Sequence, residues 1–347
     1  MNFSKTIISW YKKNKRDLPW RKTKDPYKIW LSEIILQQTR VAQGYDYYVQ
    51  FIENFPTVKQ LAAADEDTIL KLWQGLGYYS RARNLHTAAK MVIADFKGKF
   101  PKKYDDVIQL KGVGEYTAAA VSSFANNEAK AVIDGNVYRV LSRVFGIETP
   151  IDATQGKKEF KELANKLLDV KNAGLHNQAI MEFGALQCKP QKPDCGNCPL
   201  QYNCIANEKG LQKELPKKEK KIKVRNRYFN YLYIQQGSHT YINKRTEKDI
   251  WINLFELPLI ETKKQLSLNE LVDSEQWKNI FGTSEIQVKN VSKEYKHKLS
   301  HQNLHTQFIT LTIPHKTNID FIKIPQSEIH RYAIPKLIDL FLSLLDA

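Results

Sequence analysis

No stretch of this sequence approaches the roughly 18 consecutive apolar residues that a membrane-spanning helix needs. The first segment, MNFSKTIISWYKKNKRDLPW, lacks the small-residue cleavage site of a secretory signal peptide. No internal repeat is visible either. We therefore expect a soluble protein of the cytoplasm.

The composition also lacks the polar bias of a disordered or fibrous chain. Hydrophobic residues make up 42% and charged residues 26% of the sequence, which are ordinary globular values. A chain of 347 residues is too long for one ordinary small domain. The sequence therefore predicts two domains, each with a core of its own.

Acidic residues are too few to balance the basic ones. The 37 Asp and Glu residues face 53 Lys and Arg residues, which leaves a formal net charge of +16. A charge of this size attracts polyanions over a Debye length or more, so it indicates nucleic acid as the partner. A solvated cationic surface without a partner is the alternative interpretation.

The pattern of apolar residues changes along the chain. Up to residue 206 it has the helical period, as in PYKIWLSEIILQQTRVAQ and KEFKELANKLLDV. Residues 207–224 combine Pro216 with clustered Lys, which is typical of an exposed linker. Beyond it, alternating runs such as RYFNYLYI and HTQFITLTIPH predict strands, with helices near LNELVDSEQWKNIF and PKLIDLFLSLL. We predict a mostly α domain over 1–206, a basic linker over 207–224 and an α+β domain over 225–347.

Cysteine is scarce, and all of it is in one place. The four residues follow the spacing Cys188-x6-Cys195-x2-Cys198-x5-Cys204. Cytosolic disulfides are rare, and this pattern suits a closed loop around a metal centre. Four thiolates can hold tetrahedral zinc or a [4Fe-4S] cluster, and the spacing leaves both open. A catalytic thiol or redox pair would leave two cysteines unexplained.

The segment LKGVGEYT, residues 110–117, precedes the small-residue run AAAVSSFA. Gly112 and Gly114 allow a tight turn, and the free N–H groups at the following helix start can bind a phosphate oxygen. A helix C-cap followed by a buried Ala-rich helix is the alternative.

Two carboxylates lie in unusual surroundings. Helical spacing puts Glu33 on the same face as Ile29, Trp30 and Leu36, where desolvation raises the pKa of an acid and suits it to proton donation. For an isolated Glu, solvent exposure or pairing with Lys is the commoner outcome. Asp134 precedes a helical segment and is also a natural N-cap. Because the helix dipole favours its charge, we expect a depressed pKa for Asp134. Such a pair can cleave a glycosidic bond.

The hairpin LKGVGEYT, the segment IDGNVYRV and the cysteine loop, in that order, resemble the helix-hairpin-helix DNA glycosylase superfamily with its iron–sulfur cluster. Within it, LPWRKTKDPYKIWLSEIILQQTRV and WQGLGYYSRARNL are similar to the MutY family of adenine glycosylases. The resemblance spans about residues 15–205. It implies an α-helical glycosylase fold, a [4Fe-4S] cluster rather than zinc, and a cleft that takes in a flipped base.

The resemblance assigns roles residue by residue. Glu33 matches the proton donor to N7 of adenine, and Asp134 matches the carboxylate that stabilises the sugar cation or traps it covalently. Tyr116 and Asn136 match groups that hydrogen-bond around it. Endonuclease III carries Lys at the position of Tyr116 and uses it as an amine nucleophile. Its absence here implies a monofunctional enzyme.

Other matches concern the base and the DNA. Trp20, Arg21 and Gln178 match positions near the bound adenine, although some members have Glu at the last position. Gln38 and Tyr78 match residues that probe the opposite base and wedge into the stack.

A wedge that fills the vacated space offsets the unstacking cost, and Leu76 contributes to it with Tyr78. Gly112 and Gly114 match the DNA-binding hairpin, in which Lys111 replaces the usual Pro and reduces the rigidity of the turn.

The second domain resembles the Nudix-like C-terminal domain of the same family. The segment EYKHKLSHQNLHTQF matches the loop that inspects 8-oxoguanine, with Leu299, Ser300 and His301 at its tip. The family usually has Phe in place of Leu299, so a smaller, non-aromatic side chain stands at the stacking position here. The Glu-rich Nudix pyrophosphatase box is missing, so we expect recognition without hydrolysis.

Together these matches imply a base excision repair enzyme, acting as a monomer associated with the nucleoid. It would remove adenine opposite 8-oxoguanine or guanine in duplex DNA and leave an abasic site. A bifunctional pyrimidine glycosylase and lyase is one alternative, which Tyr116 and the long second domain argue against. A non-catalytic DNA-binding protein with a structural cluster is another, which the pairing of Glu33 and Asp134 argues against.

Overall fold

The computed structural model describes residues 2–219 and 224–345. It divides into two compact units, the first formed by Met1–Ala64 with Arg83–Lys220 and the second by Asp65–Ala82 with Lys221–Ala347. Part of the predicted linker, 220–223, lies outside the described residues. The division at 207–224 therefore stays a prediction. None of the described helices is long and apolar enough to cross a membrane.

The chain up to residue 210 is helical, as its apolar period predicts. The helices are α1 Phe3–Asn14, α2 Pro26–Leu36, α3 Val41–Asn54, α4 Val58–Ala63, α5 Glu66–Leu72, α6 Ser80–Asp95, α7 Tyr104–Val107, α8 Glu115–Asn126, α9 Gly135–Phe145, α10 Thr154–Leu167, α11 Ala173–Leu186 and α12 Ile205–Lys209. Short 3-10 turns cover Pro19–Arg21, Val170–Asn172 and Gln201–Asn203.

Helix α8 lies at the centre of the first unit, against α2 and α11, and α11 also packs on α1 and α9. Every residue of α8 from 117 to 124 is buried, because its Ala and Ser side chains let neighbouring helices approach closely. A buried Ala-rich helix, which was part of the alternative interpretation of the glycine hairpin, is present. The polar groups described below lie on α2, at the N-terminus of α9 and on α11.

One predicted helix is interrupted. The segment 26–43 is helical in its apolar pattern, yet α2 ends at Leu36 and α3 begins at Val41. Between them Gln38 has a left-handed backbone, with φ of 57°. A left-handed residue just after the last turn ends a helix, and the apolar period cannot reveal it because it records only which face is buried.

The second unit is mixed α and β, as predicted. Its strands are β1 Arg225–Gln235, β2 His239–Lys244, β3 Phe255–Glu256, β4 Leu259–Thr262, β5 Gln287–Val291, β6 Tyr295–Lys298, β7 Gln302–Thr312 and β8 Ile322–Pro325. Its later helices are α13 Leu268–Val272, α14 Glu275–Phe281 and α15 Lys336–Ser343, with a 3-10 turn at Gln326–Arg331. The strands expected from RYFNYLYI and HTQFITLTIPH are the long β1 and β7.

These two strands pair in parallel at the middle of a sheet of order β4-β1-β7-β5, and β6 also pairs with β7. A smaller sheet has the order β3-β2-β8. Successive side chains of a strand face opposite ways, so Tyr231 and Phe308 join one core with α15, while Leu232 and Ile309 join another with α14.

The segment Asp65–Ala82 is held to the second unit by polar contacts. The Lys244 ammonium donates to Asp67 at 2.7 Å, and the Gln74 amide donates to Asp339 at 3.1 Å. These contacts link residues more than 170 positions apart in the chain. Residues 65–82 thus join a unit whose other members come from the C-terminal part of the sequence.

Candidate active site

Glu33 lies on α2, whose residues are nearly all apolar and buried. Its side chain is only 8% exposed, and the Tyr116 hydroxyl donates a hydrogen bond to Oε2 at 2.6 Å. Burial raises the pKa of Glu33 to about 7, against the opposing effect of the Tyr116 hydrogen bond, and the charge of Asp134 adds to the rise. The expectation of a raised acid is confirmed, and Glu33 neither points to solvent nor pairs with a lysine.

Asp134 is the N-cap of α9. The Val137 N–H donates to Oδ1 at 2.8 Å, and the Asn136 side-chain amide donates to Oδ2 at 2.7 Å. The predicted capping role is confirmed, but the predicted depressed pKa is wrong. Burial raises the pKa of Asp134 and outweighs the hydrogen bonds that favour its ionised form.

A cleft of about 400 Å³ brings these groups together. That volume lies within the roughly 300–1,000 Å³ of small-molecule sites. Its lining includes the following predicted site residues: Trp20, Arg21, Glu33, Tyr116, Asp134, Asn136 and Gln178. They come from the turn at Pro19–Arg21, from α2 and α8, from the start of α9 and from α11. The structure thus gathers the predicted catalytic and base-contacting groups into a single cavity.

The predicted base-contacting residues are held by neighbours. The Tyr11 hydroxyl donates to Oε1 of Gln178 at 2.7 Å. Trp20 is buried, with its ring 5.1 Å from the ring of Tyr48. The Arg21 guanidinium donates through both terminal nitrogens to Glu182, at 2.8 and 2.7 Å.

Glu182 is a residue that the sequence analysis missed. It lines the cleft, is 1% exposed and also accepts from Arg16. Burial alone would raise its pKa, but the hydrogen bonds from Arg21 and Arg16 lower the pKa of Glu182 to about 2. One signal was available, since Glu182 follows Gln178 by one helical turn and therefore shares its face of α11.

The predicted DNA contacts of the first unit do not line the cleft. Gly112 has φ of +77°, and a Cβ there would lie 2.7 Å from Cβ of Asn84, so this turn requires glycine. Gly114 is the N-cap of α8 with open space beside it. Gln38 is exposed just beyond the end of α2, with the left-handed backbone noted above.

The remaining predicted contacts belong to the second unit. Ser300 and His301 are exposed at the tip of the β6–β7 hairpin, where the Leu299 N–H donates to the Gln302 carbonyl at 2.8 Å. Tyr78 also has a left-handed backbone, with φ of 49°, and its hydroxyl hydrogen-bonds the Ser300 hydroxyl. The structure therefore joins the predicted wedge to the predicted base-reading loop.

Leu76, the other predicted wedge residue, is 6% exposed, whereas Tyr78 is 48% exposed. The Leu76 side chain is thus packed inside the protein in this structure. Of the two, Tyr78 is the accessible one.

The four cysteines line one small cavity beside α9. Their thiols form no disulfide. The Arg143 guanidinium approaches Sγ of Cys188 at 3.5 Å and donates to the Lys189 carbonyl at 2.7 Å. Among the described residues, no group of three His, Cys, Asp or Glu side chains is arranged around a single metal ion. The donor set, four sulfurs with a cation beside them, fits an anionic thiolate-bound centre.

Two family models match the chain in separate parts. Residues 31–167 match the HhH-GPD superfamily of base excision DNA repair proteins, and residues 230–344 match the NUDIX domain. The first match includes Glu33, the glycine hairpin and Asp134, and the second covers most of the two sheets.

Curated relatives align with long stretches of the chain. It is 37% identical to the adenine DNA glycosylase of Buchnera aphidicola subsp. Schizaphis graminum over 327 residues, which is 92% of this chain and 89% of that protein. It is 40% identical to the human adenine DNA glycosylase over 222 residues, which is 61% of this chain and 41% of the human protein.

Solved structures match the fold of the first part. A thermostable thymine-DNA glycosylase aligns with 60% of this chain and 95% of its own, at a TM-score of 0.56 and 32% identity. Endonuclease III in a non-covalent complex with DNA aligns over the same shares, at a TM-score of 0.53 and 22% identity, which is a likeness of fold alone.

Proposed function

Because this chain belongs to the family of adenine DNA glycosylases, as its 37% identity over 89% of the Buchnera relative shows, we propose that it hydrolyses the N-glycosidic bond of adenine mispaired with 8-oxoguanine or guanine in DNA. The observation that carries the proposal is the pairing of a buried Glu33, whose pKa is raised to about 7, with Asp134 in one cleft. The product is an abasic site.

Glu33 acts as the general acid. A pKa of about 7 keeps much of the carboxyl protonated at neutral pH, and the proton passes to N7 of the bound adenine as the bond to the sugar breaks. The Tyr116 hydroxyl fixes the carboxyl by donating to Oε2, so the proton-bearing group is held in one orientation.

Asp134 supports the positive charge that develops on the sugar. Its two oxygens are already held by the Val137 N–H and the Asn136 amide, so the carboxylate needs no reorganisation as the charge appears. The charge of Asp134 raises the pKa of Glu33 and so favours the protonated form of the acid.

Water completes the hydrolysis, and strand cleavage is not expected. Tyr116 occupies the position at which the resemblance places the lysine nucleophile of endonuclease III, and a phenol bonded to Glu33 forms no Schiff base. Borohydride should therefore trap no covalent complex on the adenine substrate.

Duplex DNA is the proposed partner. A net charge of +16 attracts the phosphate backbone, and Gly112 and Gly114 shape a turn before the N-terminus of α8 that a phosphate can approach. The exposed Tyr78 would enter the base stack, and Ser300 and His301 would read the base opposite adenine.

Cys188, Cys195, Cys198 and Cys204 would hold a [4Fe-4S] cluster. The cluster would supply covalent cross-linking of a loop that has few apolar side chains to bury. Arg143 would compensate its negative charge. The purified protein should absorb near 400 nm and contain about four iron atoms per chain, and Cys198→Ser should lose both.

The proposed activity is tested by single-turnover incision of a duplex with adenine opposite 8-oxoguanine, with and without hot alkali. Strand breaks that form only after alkali support a monofunctional adenine glycosylase. Spontaneous breaks at an oxidised pyrimidine, with adenine untouched, would instead assign the protein to the bifunctional class.

The base-reading role of the hairpin is tested by combining Ser300→Ala with His301→Ala. The preference for 8-oxoguanine over guanine should fall about tenfold, since two hydrogen-bonding side chains are lost. A matched control combines Ser343→Ala with His315→Ala, an exposed Ser and His of the same unit outside the hairpin. Equal selectivity in both double variants would move the recognition of 8-oxoguanine elsewhere.

A further inference from the structure

Glu182 makes an unusual number of charged contacts for a buried acid. Its Oε1 accepts from the backbone N–H and Nε of Arg16, both at 2.9 Å, and from Nη1 of Arg21 at 2.8 Å. Its Oε2 accepts from Nη2 of Arg16 at 2.5 Å and from Nη2 of Arg21 at 2.7 Å. A single carboxylate thus holds two guanidinium groups and a backbone amide.

The geometry of α11 places this carboxylate in the wall of the cleft. Gln178, Met181, Glu182 and Ala185 all line it, at the spacing that puts side chains on one helical face. Glu182 therefore does more than join α11 to the N-terminal segment, because its contacts are made at the surface of the cavity.

Arg21 is the group through which Glu182 acts on the cleft. Besides Glu182, its guanidinium donates to the Arg16 carbonyl at 3.3 Å and lies 5.6 Å from the centre of the Tyr11 ring. These contacts hold it from several sides. Arg21 also lines the same cavity as Glu33 and interacts with its charge.

We propose that Glu182 is a positioning residue of the base pocket, which fixes Arg21 and Arg16 in the cleft wall and limits the positive charge that faces Glu33. The inference rests on the proposed function, since it gives Glu182 a part in the protonation of adenine by Glu33. Glu182 itself need not touch the base.

The charge balance explains why one carboxylate has this effect. Two guanidinium groups and Glu182 together carry a net charge of +1, and without the carboxylate they would carry +2. The other charged or titratable groups that act on Glu33 are Tyr116 and Asp134. Because the charge of Arg21 lowers the pKa of Glu33, a less compensated Arg21 would lower it further and leave less of the acid protonated at neutral pH.

The experiment measures the single-turnover rate of adenine release from pH 5 to 9 for the full chain and for Glu182→Gln. In Glu182→Gln, we expect the alkaline limb of the pH–rate profile to move at least about half a pH unit to lower pH. The plateau rate of that profile should fall about tenfold or more, because Arg21 loses its fixed position. The control is Glu162→Gln, which removes an exposed acid paired with Lys158 and should match the wild type.

A second variant separates charge from position. Combining Arg16→Gln with Glu182→Gln returns the net charge at positions 16, 21 and 182 to +1. The alkaline limb of the pH–rate profile should therefore return toward the wild-type pH, while the plateau rate stays low. If the limb and plateau of Glu182→Gln both match the wild type, the proposal is wrong.

The loss of Glu182 removes the carboxylate shared by the partly buried guanidinium groups of Arg16 and Arg21, so folding is checked through binding of a duplex that carries a non-cleavable 2′-fluorinated adenosine. If Glu182→Gln does not bind it, Glu182→Asp decides. That variant keeps the charge on a shorter side chain, so it should show a wild-type limb with a lowered plateau, and a wild-type plateau would overturn the proposal.

Failure of the proposed function can be told apart from failure of this inference. If the wild type releases no adenine, the carboxyl stretch of Glu33 can be titrated by difference infrared spectroscopy, with Glu33→Gln as the reference. A lower titration midpoint in Glu182→Gln would support the electrostatic role without any turnover, and an unchanged midpoint would contradict it.

Discussion

Two glutamates in one cleft, Glu33 on α2 and Glu182 on α11, have opposite protonation behaviour. Their exposed fractions are 8% and 1%, so burial alone would raise the pKa of both. Glu33 meets a neutral hydroxyl, and its pKa rises to about 7. Glu182 meets two guanidinium groups, and its pKa falls to about 2. The partners of a buried carboxyl therefore decide which form the cleft contains.

The difference suits two different tasks. A group that must give up a proton has to retain it until the substrate arrives, whereas a group that must hold cations has to be ionised at all times. The cleft supports both because each glutamate lies on its own helix, with its own set of neighbours. Substitutions at Glu33, Asp134, Glu182 and Tyr116 test this contrast.

Glu33→Gln should abolish proton donation at this position. Glutamine keeps the shape and can still accept from Tyr116, but it has no proton to give, so adenine release should fall about 1,000-fold or more. Single-turnover kinetics measure the loss, and binding of the non-cleavable duplex should persist. Glu53→Gln, an exposed acid on α3, is the control. Substantial turnover in Glu33→Gln would refute its role as the acid.

Asp134→Asn should reduce the rate about 100-fold, because the developing sugar cation loses its negative partner. Asparagine is an equally good N-cap, so α9 should remain intact. Circular dichroism and the incision assay check both expectations. Asp25→Asn makes the same change at the N-cap of α2 and should leave activity unchanged. Normal activity in Asp134→Asn would contradict the proposed mechanism.

The same change, Glu to Gln, should have opposite effects on stability at the two positions. The folded pKa of Glu33, about 7, exceeds its ordinary 4.5, so wild-type stability falls as pH rises from about 4.5 to 7. The free energy of unfolding of Glu33→Gln should therefore rise by up to about 3 kcal/mol relative to that of the wild type between pH 5 and pH 8.

For Glu182 the sign is reversed. Its folded pKa of about 2 lies below 4.5, so its contribution is present above about pH 4.5 and is lost as pH falls toward 2. The free energy of unfolding of Glu182→Gln at pH 7 should be about 3 kcal/mol lower than that of the wild type. Urea denaturation of both variants measures these effects. If the free energy of unfolding changes with the same sign in Glu33→Gln and Glu182→Gln at pH 8, the contrast between the two glutamates is contradicted.

Tyr116→Phe should have the smallest effect, a further rise in the pKa of Glu33. The Tyr116 hydrogen bond lowers the pKa of Glu33, so its loss should raise that pKa and move the alkaline limb of adenine release to higher pH, by less than about one unit. Tyr138→Phe, on α9, is the control. A limb that moves to lower pH would show that the hydroxyl favours the neutral acid.

Much of the fold was predictable because burial leaves a local pattern. The apolar period predicts α2 and α10, and short alternating runs predict β1 and β7. The break at Gln38 was not predictable, since it depends on backbone conformation and not on which face is buried. The membership of residues 65–82 in the second unit was hidden for another reason, because it depends on contacts with residues such as Lys244 and Asp339.

The candidate site also combines features that neighbouring residues predict with features that depend on residues far apart in the sequence. The sequence predicts the N-cap at Asp134 and the apolar helical face around Glu33, because neighbouring residues in one helix produce both, but it leaves the solvent exposure of Glu33 open. It also determined that four thiols share one loop, because they lie within seventeen positions.

The pKa of Asp134 and the role of Glu182 depend on tertiary contacts. Arg16 and Arg21 lie 166 and 161 positions from Glu182, and the burial of Asp134 comes from the helices around the cleft. Electrostatic effects depend on distance in space and on solvent exposure, and a linear sequence records neither for residues so far apart.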